Sequence, residues 1–286
     1  MNLFDILTFD HWLNPIPSRL FFSRLRFGLI DKKLSSIATD ELRQNLPKIT
    51  GSMPRAGKGP VLFAVADADY FKRFANMFVS TAAVFSPESD VHIHVIGEQA
   101  KISDVKFDKL PKHFHLTFED ADFSQAKYQP RGRYCQCMRF VRLHEFVTQT
   151  GRDYFVFDID GLFQKSFASL DLAPLKAAAF YCRLQYADPG LRVAAGMAYV
   201  SATPEALVML YDATSQMLRH LNYSKEVEKT DQRCLSMAMA NHPGIVKSLP
   251  NELFSFEPGQ GYFYAAKGAR KNDTLEGVYE ALGISK

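Results

Sequence analysis

The stretch DYFVFDID, Asp153 to Asp160, sets four apolar residues, Tyr154 to Phe157, directly before two carboxylates one residue apart. A short apolar run bounded by polar residues has the length of a fully buried strand. In extended backbone residues two apart point to one side, so Asp158 and Asp160 converge where that strand leaves the core. Converging carboxylates repel each other, and a hard divalent cation relieves the repulsion. Mg²⁺ and Mn²⁺ prefer oxygen ligands, and Mg²⁺ commonly combines one or two carboxylates with phosphate oxygens and waters. A metal–diphosphate site is the chemistry this pair offers, and a solvated strand end is the plain alternative. The triplet alone decides little, because it also occurs as Asp67/Asp69 and Asp120/Asp122. Most such triplets are loops or helix caps. The third copy stands apart because it follows the most hydrophobic strand, in mid-chain.

The elements around it must form a scaffold that presents that strand end. From Val61 onward the pattern alternates: VLFAVA, VHIHVIG and FHLTFED have strand character, as do AAAFYC and AGMAYVS. YFKRFANMFVSTAAVF has helical spacing of Phe71, Phe74, Phe78 and Ala82, and YCQCMRFVRLHEFVTQT and PEALVMLYDATSQMLRHL are further helices. Alternation of this kind predicts an α/β fold, a mostly parallel central sheet with helices on both faces. In such sheets ligands bind beyond the carboxyl ends of the strands, which is where Asp158, Asp160 and Asp67 fall. Residues 1–59 are expected as an N-terminal helical extension and linker, and 60–286 as the main domain. The extension carries Arg19, Arg24, Arg26, Lys32 and Lys33 among Phe and Leu. Its two readings are packing on the main domain and peripheral contact with an anionic membrane surface.

The 286 residues are 47% hydrophobic and 23% charged, ordinary for a globular chain with a large core. A net charge of +3 gives no indication of nucleic-acid binding. Cys135, Cys137, Cys182 and Cys234 lack zinc-site spacing and are expected as free thiols. No run approaches the roughly 18 apolar residues of a membrane span. Acidic residues near the N-terminus are unlike a secretory leader, so the expected location is cytoplasmic. His92 and His94 alternate on a strand and are expected to be structural.

From about Val61 to Lys271 the ordered motifs resemble the GT-A glycosyltransferases, the nucleotide-diphospho-sugar transferases, closest to the glycogenin and lipopolysaccharide galactosyltransferase branch. VADADYFKRFANMFVSTAAVF is similar to the family's first strand and helix, which implies nucleoside contacts for Asp67 and Tyr70. YCQCMRFVRLHEFV resembles the helix with a donor-contacting arginine, Arg139 or, one turn along, Arg142. YFVFDIDGLFQKSFASL is similar to the metal-binding strand, with Asp158 and Asp160 the implied ligands of Mn²⁺ or Mg²⁺. TDQRCLS matches an Asp-Gln pair beside the donor sugar, Asp231 and Gln232. KGARK matches the segment that covers the diphosphate, with Lys267, Gly268 and Lys271 in place. Plain readings stand beside these: Tyr70 as a helix aromatic, Arg139 paired with a surface acid such as Glu145, Asp231 as a helix cap, Lys267 and Lys271 as solvated charges.

The resemblance implies a metal-dependent transfer of sugar from a nucleotide-diphosphate sugar, a UDP-sugar first, to a glycan, lipid-linked or other acceptor, with retention. Two positions depart from the family's pattern. Ala194 replaces the Asn of an Asn-Ala-Gly turn, and Ala265, after Tyr264, replaces a His that completes the metal's ligands. An inverting course would need a general base such as Asp188 or Glu257. A sugar nucleotidyltransferase would require a Gly-rich phosphate loop after the first strand, and ADADYFKRF contains no Gly. A non-catalytic nucleotide-sugar-binding protein is the other alternative.

Overall fold

The apolar runs read as strands lie side by side in one eight-stranded sheet. The computed structural model describes residues 27–55, 57, 59–125, 128–167, 170–175, 177–182, 192–223, 229–265 and 271–284. The strands are β1 (Ile49–Gly51), β2 (Val61–Asp67), β3 (Asp90–Ile96), β4 (His113–Glu119), β5 (Tyr154–Asp158), β7 (Ala178–Cys182), β8 (Val193–Val200) and β9 (Val246–Ser248). Strands β4, β3, β2 and β5 form a parallel block. Beside it β8 runs antiparallel to both β5 and β7, and β9 is parallel to β7. The sheet is therefore mixed, and its parallel character is concentrated in the half that ends at β5.

Helices cover both faces. α3 (Ala68–Phe85) follows β2, α4 (Arg131–Thr150) precedes β5, and α5 (Pro204–Tyr223) follows β8. α6 (Thr230–Asn241) and α7 (Lys271–Ala281) complete the set. The expected stripe on α3 is real, since Phe71, Phe74, Phe78 and Ala82 are all buried. Each buried aromatic of this kind contributes roughly 2–3 kcal/mol of transfer free energy. Phe155 and Phe157 of β5 face that layer, while Tyr154 and Val156 face the layer of α4. Both faces of β5 are thus apolar, as its unbroken run requires.

Beyond β5 the chain turns into β6 (Gly161–Phe163), which pairs antiparallel with β11 (Phe263–Ala265), itself parallel to β10 (Phe254–Ser255). Phe157 packs tilted, and Phe163 edge-on, against Phe263, at centroid distances of 4.6 and 5.2 Å. A side chain at Gly161 would collide with the Phe263 ring. That small sheet pins the strand exit immediately after Asp160.

The described part of the extension packs on the main domain. Residues 27–34 are helical (α1), and a short helix α2 (Asp40–Gln44) follows. The Phe27 ring stacks on His220 at 4.4 Å, and Arg43 donates to Thr214 at 2.7 Å. β1 adds an antiparallel edge to β4, with Ile49 opposite Glu119. The expected membrane-contact segment lies largely in residues 1–26, outside the described residues. Among the described residues no helix is long and apolar enough to cross a membrane.

Candidate active site

Along the parallel block the chain visits β2, then β3 and β4 on one side, and returns to β5 on the other. The strand order reverses between β2 and β5, and such a switch point opens a crevice at the carboxyl ends. Asp67 ends β2, and Asp158 ends β5 with its partner Val65 across the ladder. Two acids thus flank the crevice that topology creates.

They are held differently. Asp67 caps α3, accepting a hydrogen bond from the Tyr70 N–H at 2.9 Å. Arg131, the first residue of α4, clamps it with Nε on Oδ2 at 2.8 Å and Nη2 on Oδ1 at 2.6 Å, and Nη2 also reaches Asp69 at 2.8 Å. The acids of the first triplet therefore share one guanidinium, which compensates half of their charge. Sequence reasoning passed over Arg131, although an arginine at a helix start gives no pattern that separates it from Arg133. Tyr70 is 43% exposed, and its ring rests on Phe74 at 5.3 Å. Of the second triplet, Asp122 closes a local turn through the Ser124 N–H at 2.9 Å.

At the third triplet the structure brings together Asp158, Arg139 and Asp231. Arg139 lies eight residues beyond Arg131 on α4, about 12 Å further along the axis. Its Nη1 donates to Asp158 Oδ1, and Nη2 lies 3.5 Å from Asp231 Oδ2. The Arg139 side chain is 8% exposed and Asp231 is 2% exposed, whereas the Asp158 side chain is 43% exposed. Asp160 lies in a bend past the end of β5 instead of on extended strand, and it is buried with its charge acting on Arg139. Burial pulls the Arg139 guanidinium toward its neutral form, but the fields of Asp158, Asp231 and Asp160 outweigh this and hold it above its ordinary value. Burial raises Asp231, and Arg139 offsets only part of that rise. Gly196 makes the arrangement fit: a Cβ there would stand 2.5 Å from Asp158 Oδ2. Sequence inspection places Gly196 on a strand; that its missing side chain makes room for a carboxylate emerges only when β8 lies beside β5.

The remaining site residues fall as follows. Arg142 turns instead to Glu119 at 2.5 Å and Glu145 at 2.7 Å, so the arginine directed at the crevice is Arg139, and its partner is not Glu145. Asp231 is not the cap of α6; Lys229 holds that position with φ 56°, and Asp231 sits in the first turn beside half-buried Gln232. Lys271 opens α7, its side chain outside the described residues, as are Lys267, Gly268 and Asp188. Ala265 is buried in β11 opposite Gly161, and Ala194 pairs with Tyr181. Glu257 is exposed and accepts from Gln260 at 2.6 Å. His92 and His94 are buried and share the Thr117 hydroxyl, a structural pair. All four cysteines are free.

The site's donor set suits a hard cation: oxygen ligands only, with one carboxylate half open to solvent. No group of three or more His, Cys, Asp or Glu able to hold a metal exists among the described residues. An ion here would rest on two carboxylates and draw its other ligands from substrate and water.

No family model matches the sequence, and no curated protein matches it. Solved structures do match. The galactosyltransferase LgtC, crystallised with donor and acceptor sugar analogues, superposes with a TM-score of 0.52 at 14% identity, over 77% of this chain and 95% of LgtC. The apo form of GlyE, a glycosyltransferase of Streptococcus pneumoniae, gives 0.52 at 12% identity, over 78% of this chain and 60% of GlyE. The chain has the GT-A fold of these glycosyltransferases.

Proposed function

We propose that the chain is a metal-dependent glycosyltransferase that moves a sugar from a nucleotide-diphosphate sugar, a UDP-sugar first, to a glycan, lipid-linked or other acceptor. One observation carries this reading: Arg139, Asp158 and Asp231 meet at the switch point of a GT-A sheet, with Asp158 facing out. Breaking a sugar–phosphate bond leaves negative charge on the departing nucleotide, and preorganised positive charge is the largest catalytic contribution such a site makes. Mn²⁺ or Mg²⁺ at Asp158 and Asp160 would supply that charge when bound. Asp67, held in place by Arg131, and Tyr70, with its exposed ring, would receive the nucleoside. Arg139, Asp231 and Gln232 would orient the sugar, a contribution of position. Lys267, Gly268 and Lys271 would cover the diphosphate. With Ala265 where the family carries a third protein ligand, water would complete the ion's shell. The resemblance to the galactosyltransferase branch favours retention.

The test is incubation with Mn²⁺ and a panel of nucleotide sugars, with release of nucleotide diphosphate as the readout. Release from one donor is the expected result, abolished by chelation. Pyrophosphate as the product would overturn the reading in favour of a nucleotidyltransferase. Binding with no release from any donor would leave a nucleotide-sugar-binding protein.

A further inference from the structure

We infer that Arg139 is a resident cation that occupies the Asp158 carboxylate and competes with the divalent ion for it, so that ion and diphosphate bind well only together. The inference rests on the metal-dependent reading above and adds a role for this chain's own arginine. The guanidinium spans two acids, with Nη1 on Asp158 Oδ1 and Nη2 at 3.5 Å from Asp231 Oδ2. The Arg139 side chain is only 8% exposed, so its charge stays in the interior beside these acids. Asp158 is the acid of the group that faces solvent; its Oδ1 is held by Arg139, and its Oδ2 lies in the space that a side chain at Gly196 would fill. An incoming ion therefore meets a carboxylate that already serves a positive charge.

Asp158 and Asp231 share this one guanidinium, so the pairing leaves negative charge that attracts a second cation. That cation must sit beside Arg139, and like charges at such range repel. A diphosphate bridging the two resolves the conflict, since its oxygens serve the ion and the guanidinium at once. Because no group of three or more His, Cys, Asp or Glu among the described residues could hold a metal, an ion alone would keep mostly water. The coupling is reciprocal: whatever factor the diphosphate adds to ion affinity, the ion adds to diphosphate affinity.

The experiment titrates the nucleotide-free full-length protein with Mn²⁺, reading free ion by electron paramagnetic resonance. Arg139→Gln should bind Mn²⁺ alone at least tenfold more tightly than the parent, and Arg139→Lys, which keeps the charge, within about threefold of it. In the parent, added UDP should tighten Mn²⁺ at least tenfold. Adding Asp158→Asn to Arg139→Gln should erase the gain, which places the ion. Arg139→Gln binding no better than the parent would overturn the inference. So would an equal gain in Arg139→Lys, or tight Mn²⁺ binding by the parent with no help from UDP. Should Arg139→Gln fail to fold, the guanidinium nitrogen resonance of Arg139 in the ¹⁵N-labelled parent decides. It should move on addition of Mg²⁺ and UDP, and an unmoved resonance with ligand bound would sink the proposal. No donor sugar enters these titrations, so a failed transferase assay leaves their outcome readable.

Discussion

Arg139 and Arg142 are three residues apart on α4, and each reaches a carboxylate that ends a strand of the parallel block. Arg139 meets Asp158 at the end of β5, and Arg142 meets Glu119 at the end of β4. Around Arg142 nothing is left open. Glu119 is fully buried and also receives the Tyr134 hydroxyl at 3.1 Å, with His94 at 3.4 Å, while Arg142 donates further to Glu145 and to the Pro47 carbonyl at 2.6 Å. Burial alone would raise the Glu119 pKa, but His94 and Arg142 hold it below its ordinary value. Around Arg139 the pairing is looser and one acid faces solvent. The same residue type on one helix thus makes a sealed strut in one place and a site with unspent charge in the other. What separates them is how fully their partners are enclosed.

The sharpest way to break that comparison is to remove one partner on each side. Arg142→Ala leaves Glu119 buried without its main counter-charge and should cost roughly 3–5 kcal/mol of stability, about 10 °C in melting temperature. Asp158→Asn should lower turnover with the preferred donor about a thousandfold, and its melting temperature should stay within a few degrees, because the half-exposed amide still accepts from Arg139. If Asp158→Asn unfolds the protein, or Arg142→Ala leaves its melt unchanged, the two clusters do not differ as described. Gly196→Ala gives a finer probe. Its Cβ would enter the space of Asp158 Oδ2, and a displacement near 1 Å should cost about a hundredfold in turnover with little change in unfolding by urea.

The smallest effect concerns pH. Burial pushes His92 and His94 below the ordinary histidine range, with Glu119 pulling His94 partly back. Burial and then Arg43 bring His144 down to about 4. Each is neutral when folded and takes up a proton when unfolded below about pH 6.5, so the unfolded chain binds more protons there. Stability should be full above that pH and fall by about 1–3 kcal/mol between pH 7 and 5.5. His92→Asn should flatten the dependence in urea titrations. A pH-independent midpoint would contradict the burial assigned to this pair.

Much of the scaffold was legible in the chain because it rests on local periodicity. VLFAVA, VHIHVIG and FHLTFED became β2, β3 and β4, and the Phe71, Phe74, Phe78 stripe became the buried face of α3. Strand direction was less legible: the run of β8 reads alike whether it joins its neighbour parallel or antiparallel. The two- and three-residue strands β6, β10 and β11 are too short for any pattern to mark. At the site, Asp158 and Asp160 stood out by their position after β5, and the choice between Arg139 and Arg142 stayed open. One turn of helix separates those two residues, and what each faces depends on strands far away in sequence. Arg131 was invisible for the same reason, since its partners Asp67 and Asp69 are more than 60 residues distant.

The short strand β1 has a practical consequence. It occupies the outer rim of β4, and the Ser52 N–H continues the ladder to the Leu116 carbonyl at 2.8 Å. A protein begun at residue 60, where the sequence suggests a boundary, would present that rim uncovered, with its peptide groups free to template a neighbour. Solubility of the main domain is thereby tied to a segment outside the strand-end crevice, and trimming the chain for crystallisation should stop short of Ile49.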